Sequence, residues 1–416
     1  MRWRRVFHLP RGLGGRFVGT SGWSTAAVAV SAVTGVLTAR GLGAESRGTL
    51  ALILSIAGLC VLVSALGSNV AIRRHLPQGG LVTLRGYERL STFLAVPLLI
   101  VLSAAAYTVE ALVDPTFGTW QVGLAFVAYG VCYFVSNQSL DLLNALGRVV
   151  LSARTNALGS VVTLSFVTLV TIFGWGLAAI VLCYATGAVF QAIAAYRVIL
   201  RTGARNSRGS TGMRTLLRDG SRLLGLNLGQ SLTYRTDTVL LGALASPTDV
   251  GIYAVAITPA SILRIPSNAL GQVAFHQVAA GSQTIDAVLR RLVKLVLFML
   301  PLVVVGWIFA DWLFVLLYGA EYVDAADSFR LLLIAEIALA PFLVLSRILA
   351  GLGSTWGASA SGVAGVVVLL VSGLILIPPY AAVGAAMASI AAYSAMSVTA
   401  ALVLWRMPKE SRQLPS

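Results

Sequence analysis

The chain has 416 residues, of which 57% are hydrophobic and only 11% charged, and its mean hydropathy is +0.87. A soluble domain is nearer a quarter charged, so these few ionic groups cannot cover the surface of a soluble chain this long. An ordinary soluble enzyme is excluded, and the natural solvent is lipid. The net charge of +15 would point to nucleic acid on a soluble protein. On a membrane protein the same excess is expected from Arg and Lys collecting in cytoplasmic loops, so no nucleic-acid partner is expected.

The basic opening MRWRRVFHLPRGLGGR leads into an apolar stretch of 23 residues, Phe17 to Ala39. That stretch is long enough to cross a bilayer, and Arg40 follows it with no small-residue cleavage site, so it reads as a retained first span. With it, apolar runs predict spans at about 18–39, 48–72, 90–113, 119–146, 155–175 and 177–199. A second set follows at about 221–245, 250–275, 291–317, 328–350, 356–378 and 381–405. Charge tests the count of twelve. With the N-terminus inside, 25 of the 30 basic residues fall in cytoplasmic segments, and only Arg40, Arg47 and Arg330 fall outside. The expectation is a multi-pass protein of the plasma (inner) membrane with both termini cytoplasmic. It has a six-helix lobe over 1–200, a basic cytoplasmic linker over 201–220, a second lobe over 221–405 and a tail over 406–416.

The halves read as repeats. Shifting the second half back by 206 residues superposes Leu143 on Leu349, Leu146 on Leu352, Gly147 on Gly353 and Gly159 on Gly365. Six spans per half send both halves into the membrane in the same sense. The predicted fold class is therefore all-α, about twelve transmembrane helices in two parallel six-helix repeats. Such repeats suit a transporter that rocks two bundles about a central site.

Two stretches resemble a known family: ARGLGAESRGTLALI after the first span, and DTVLLGALASPTDVGIYAVAITPASILRIPSNALGQV over spans seven and eight. They match the polysaccharide-biosynthesis and oligosaccharide flippase branch of the multidrug/oligosaccharidyl-lipid/polysaccharide (MOP) transporter superfamily. The first match rests on Ala39, Arg40, Leu42, Gly43 and Gly48. The second rests on Asp237, Leu241, Gly242, Gly251, Tyr253 and Ala256, and LLYGAEYVDAADSFRLLLIAE looks like the family's loop between spans nine and ten. The resemblance implies a MATE-like two-lobed bundle that flips a polyprenyl-pyrophosphate-linked oligosaccharide, such as a polysaccharide or O-antigen-like repeat unit, to the outer leaflet by alternating access. It also implies membrane lipids as partners, and a glycan polymerase or ligase as a further one. Drug extruders of the superfamily carry an acidic residue in the first span and peptidoglycan-precursor flippases carry Arg there; this span has neither. A cation-coupled small-molecule exporter and a multi-span glycan-assembly enzyme stand as alternatives, the enzyme disfavoured by short outer loops.

Charged and polar residues inside lipid are costly and mark functional positions. In span seven Asn227, Ser231 and Arg235 fall on one helical face at i+4 steps, with Asp237 on the adjacent one. Arg235 is a candidate to grip pyrophosphate bidentately, against an ion pair within one lobe, and Asp237 is a candidate coupling residue. In span four Tyr129, Tyr133, Asn137 and Asp141 form a stripe able to line a sugar path. At the 206 offset Asp141 falls on Arg347, which makes the two a candidate inner gate, against each satisfying loop carbonyls. Arg264 beside Pro266, and Arg73 at the end of span two, complete the substrate candidates. Glu336, alone in span ten, reads as a neutral or paired structural carboxylate. Cys60, Cys132 and Cys183 are scattered in apolar runs, and no phosphate loop, metal cluster or hydrolytic pair occurs. No cofactor, metal or catalytic residue is expected, and energy must come from an ion gradient, the membrane potential or the substrate gradient.

Overall fold

Lipid offers the backbone no hydrogen bonds, so a chain of this composition must satisfy every peptide group internally, and helices do this without partners. A computed structural model describes residues 11–112, 119–201, 213–279 and 284–407, and no strand occurs among them. The N-terminal basic head up to residue 10, linker residues 202–212 and the tail from 408 lie outside the described residues. The helices are α1 (Arg11–Ser64), α2 (Ser68–Leu112), α3 (Trp120–Ala145), α4 (Val149–Phe173), α5 (Gly176–Arg201) and α6 (Met213–Leu244). They continue with α7 (Pro247–Ala260), α8 (Arg264–Ala279), α9 (Ile285–Ile308), α10 (Ala310–Tyr318), α11 (Ala325–Gly351) and α12 (Thr355–Arg406).

Predicted spans and observed helices differ where successive helices meet at a kink instead of a loop. Spans one and two are a single helix, α1, broken at Gly43, whose φ of 74° and ψ of 172° are those of a residue without Cβ. Spans eleven and twelve are likewise one helix, α12, broken at Ala381 just after Pro378 and Pro379. Span two ends at Ser64, and its predicted last residues open α2 after a turn. Span eight is α7 and α8 joined by a 3-10 turn at Ser261–Leu263, and span nine is α9 and α10, bent by 66°. Among the described residues, seven helices are long and apolar enough to cross a membrane, or eight with the bent pair counted as one. α1 and α12, with 54 and 52 residues, are each long enough to cross twice. α3 and α6 are long enough but more polar, and those two hold most of the candidate site residues.

The repeat is visible in the backbone. α3 ends at Ala145 and α4 starts at Val149; 206 residues on, α11 ends at Gly351 and α12 starts at Thr355. The connecting turns are the same turn. Gly147 has φ 74° and Gly353 φ 80°, the Gly147 amide donates to Asn144 and the Gly353 amide to Ala350, and Arg148 and Ser354 donate to Leu143 and Leu349. Only glycine adopts that φ without strain, which explains why this pair was the clearest repeat signal.

The described residues gather into two compact units, one within Met1–Leu37, Cys60–Ala106 and Thr119–Leu223, the other within Thr38–Leu59, Tyr107–Gly118 and Leu224–Ser416. In the first, α3, α4 and α5 pack on one another. In the second, α11 is the central helix, touching α7, α8, α9, α10 and α12. Large apolar side chains such as Phe93, Ile100, Phe298 and Ile375 point outward, as a lipid-facing surface requires, while small residues and serines lie inside.

Candidate functional site

The polar side chains of the first unit surround a hollow. Tyr129 and Tyr133 of α3 are one turn apart and their rings stack, centroids 5.5 Å apart, with Tyr184 of α5 edge-on to Tyr129 at 6.3 Å. Opposite them α4 offers Asn156, Ser160 and Thr163, at i, i+4 and i+7, and α5 repeats that spacing with Tyr184, Ala188 and Gln191. Ser31 and Thr34 of α1 border the same half-open cavity of about 150 Å³, whose lining carries no charge. Of the stripe predicted in span four, Tyr129 and Tyr133 line this cavity. Asn137 instead donates to the carbonyl of Tyr133 in its own helix, at 2.8 Å.

Asp141 ends the same stripe and is bonded by Arg73, whose side chain stays half exposed. The predicted gate partner Arg347 belongs to the second unit, its stem beside Gly271 of α8. Also in the first unit, His75 Nε2 lies 2.8 Å from an oxygen of Asp219.

In the second unit Arg264 and Glu336 neutralise each other, and other charges are held by neutral groups. Arg264 donates through Nε and Nη2 to both oxygens of Glu336 at 2.5–2.9 Å, a two-pronged pair with Glu336 only 2% exposed. The guanidinium lies 4.3 Å from the ring centre of Tyr234 and 5.8 Å from that of Tyr393. Glu336 is therefore a paired structural carboxylate. Asp237 is buried and accepts from the Thr238 amide at 2.6 Å and from the Tyr253 hydroxyl at 2.9 Å, Tyr253 sitting 3.1 Å from Ser389. Arg235 donates to the carbonyl of Leu54 at 3.1 Å, and its guanidinium lies where a Cβ on Gly58 would stand, so that glycine makes its room. Ser231 is half-buried, and the side chain of Asn227 lies outside the described residues.

Two family-like motifs, far apart in sequence, interlock in the second unit. Arg40 donates to the last carbonyls of α10, Leu317 at 2.7 Å and Leu316 at 2.5 Å. Glu321 accepts from the Ala44 amide at 2.8 Å, just past the Gly43 break, and the Tyr322 hydroxyl donates to the Ala39 carbonyl at 3.1 Å. Burial, reinforced by the neighbouring Glu321, pushes the Tyr322 hydroxyl up to about 12, so it remains a donor. A cation at a helix C-terminus and an anion at exposed amides is the arrangement the helix dipole favours. Sequence reasoning saw both motifs but not their contact. It also missed Asn156, Ser160 and Thr163 on α4 and Tyr184 and Gln191 on α5, where i, i+4, i+7 spacing within each helix was the available signal.

Comparison with known proteins agrees with this architecture. The sequence model of the family described as polysaccharide biosynthesis protein matches residues 20–275. No curated protein matches at a significant level. Among solved structures, the lipid II flippase MurJ in an inward closed conformation superposes with a TM-score of 0.75 at 12% identity, over 94% of this chain and 88% of that one. An inward-facing multidrug resistance MATE family transporter of the MOP superfamily gives 0.74 at 14% identity, over 93% and 96%. A MOP superfamily transporter from Pyrococcus furiosus gives 0.62 at 14%, over 96% of each. At these identities the likeness is one of fold: the all-α membrane transporter fold.

Proposed function

The chain belongs to the polysaccharide biosynthesis protein family, and on that premise we propose that it flips a polyprenyl-pyrophosphate-linked oligosaccharide from the inner to the outer leaflet of the plasma membrane by alternating access. The observation that carries this reading is the uncharged lining of the cavity in the first unit. A cation-coupled exporter needs a carboxylate to hold its ion or drug inside a low-dielectric lobe, and the wall from the first span supplies Ser31 and Thr34 instead. Hydroxyls, amides and tyrosines suit a neutral, hydroxyl-rich group.

In this reading Arg235 grips the pyrophosphate, and Arg73, held by Asp141, meets the phosphate at the inner face. Arg264, engaged by Glu336, holds the second unit together. The basic segments keep both termini in the cytoplasm, and a glycan polymerase or ligase takes the product outside.

The test is translocation of a fluorescent polyprenyl-pyrophosphate oligosaccharide in proteoliposomes. Wild type is expected to move it, and Arg235→Ala to lose most of the rate. Failure of wild type to move it, with export of a cationic dye against a proton or sodium gradient, overturns the reading in favour of a drug exporter.

A further inference from the structure

We propose that the cavity between α1, α3, α4 and α5 is a subsite for a single neutral sugar ring. The proposal rests on the flippase reading for where the ring comes from, but ring binding can be measured without it.

The first argument is that the scaffold does not require these polar groups. At the 206-residue offset Tyr129 and Tyr133 correspond to Ala335 and Leu339, both fully buried, and Thr163 corresponds to Leu369. The three counterparts belong to the packed apolar core of the second unit. At these three positions the second unit is packed with apolar side chains, so packing of the helices does not demand the polar groups of the first, and polar groups inside lipid are retained for a use.

The second argument is hydrogen-bond polarity. Ser160 donates its hydroxyl proton to the Asn156 carbonyl at 3.3 Å, and Thr163 donates to Gly159 at 3.1 Å, so each of these lining hydroxyls keeps its oxygen as an acceptor. Gln191 is oriented by its neighbours, its Oε1 accepting from Ser136 at 2.6 Å and its Nε2 donating to Asn156 Oδ1 at 3.2 Å. With the tyrosine hydroxyls and the Asn156 amide, the lining carries groups that donate as well as groups that accept, the mixture that sugar hydroxyls match. A carboxylate, a phosphate or a cation would find no counter-charge in this lining.

The third argument is shape. The Tyr129–Tyr133 stack presents aromatic surface to the C–H face of a pyranose. The volume of about 150 Å³ is half the smallest pocket that usually buries a drug-sized molecule, roughly 300 Å³, and so admits one ring. Gly159 sets the width, because a Cβ there would lie 2.2 Å from Cγ of Gln191 and push the amide inward.

The experiment is saturation-transfer NMR on the full chain in lipid nanodiscs. The probes are methyl glycosides of glucose, galactose, mannose and N-acetylglucosamine, with glucuronate and tetramethylammonium as charged probes of similar size. At least one neutral glycoside is expected to saturate, at least tenfold more weakly in Gln191→Ala and Gly159→Ala and unchanged in Ser165→Ala, an exposed hydroxyl on the other side of α4. Ser160→Ala, a one-atom change, serves if the first two variants fail to fold as monodisperse protein. Absence of saturable glycoside binding by wild type, preference for either charged probe, or binding unaltered in the cavity variants overturns the subsite. Translocation separates the two readings. Wild type and cavity variants flipping lipid-linked glycan equally well leaves the flippase standing and removes the subsite. Glycoside binding that the cavity variants abolish, in a wild type that flips nothing, does the reverse.

Discussion

In the first unit the residues of α3, α4 and α5 that line the cavity are uncharged, whereas in the second Arg264 and Glu336 pair with each other beside tyrosines and Asp237 accepts from Tyr253. The contrast runs through equivalent positions. Glu336 and Tyr393 of the ionic cluster correspond, 206 residues back, to Gly130 and Gly187, just as the cavity's Tyr133 corresponds to Leu339. A duplicated scaffold has thus been filled with charge on one side and hollowed on the other. A charge that is already paired contributes rigidity, because moving it would expose an unpaired ion to a low-dielectric interior. A neutral polar surface around space can exchange protein contacts for ligand contacts at little cost.

If that contrast holds, substitutions in the second unit should cost stability and those in the first should cost transport. The largest expected effect is Glu336→Ala, which strands Arg264. Breaking a buried pair from one side costs about 3–5 kcal/mol, so a large drop in thermal midpoint in detergent is expected, with most of it recovered in Arg264→Met/Glu336→Leu. A tolerated single variant would break the comparison. Next is Arg40→Ala, which leaves two α10 carbonyls without their charged donor, for about 1.5–3 kcal/mol. Combined with Glu321→Ala it should show less than additive loss in denaturation, since both hold the same junction. Ser136→Ala removes one hydrogen bond to Gln191 and should cost about 1 kcal/mol while lowering flipping more than its stability loss explains. The smallest effect on stability, within about 0.5 kcal/mol, is expected for Ser160→Ala at the cavity wall, with the transport assay as the discriminating readout.

The spans were legible because a bilayer demands runs of about 20 apolar residues and hides little else. The 206-residue repeat was legible through Gly147 and Gly353, where φ leaves little choice of residue. Less legible was whether a run ended in a loop or a kink: residues 40–47 read as an outer loop, yet two helices meet there at a kink on Gly43. The polar stripe Tyr129–Tyr133 stood out by i+4 spacing on one helix. Its completion by Asn156 and Gln191 did not, because which face of α4 and α5 meets α3 is settled by tertiary packing. Partners were the hardest to read. Arg264 and Glu336 lie 72 residues apart and Arg235 bonds a backbone carbonyl, which has no signature in sequence.

The junction of Arg40, Ala44 and Glu321 joins residues separated by 277 positions. A ribosome adding about 5–20 residues per second needs on the order of 15–55 s to make that length. For all of that time the first two spans already sit in the bilayer with the helix ends around Gly43 uncapped. The angle between them is therefore a late decision in biogenesis, taken only when α10 and the turn after it emerge. A chain truncated before Leu316 would insert its first spans and never fix how they bend.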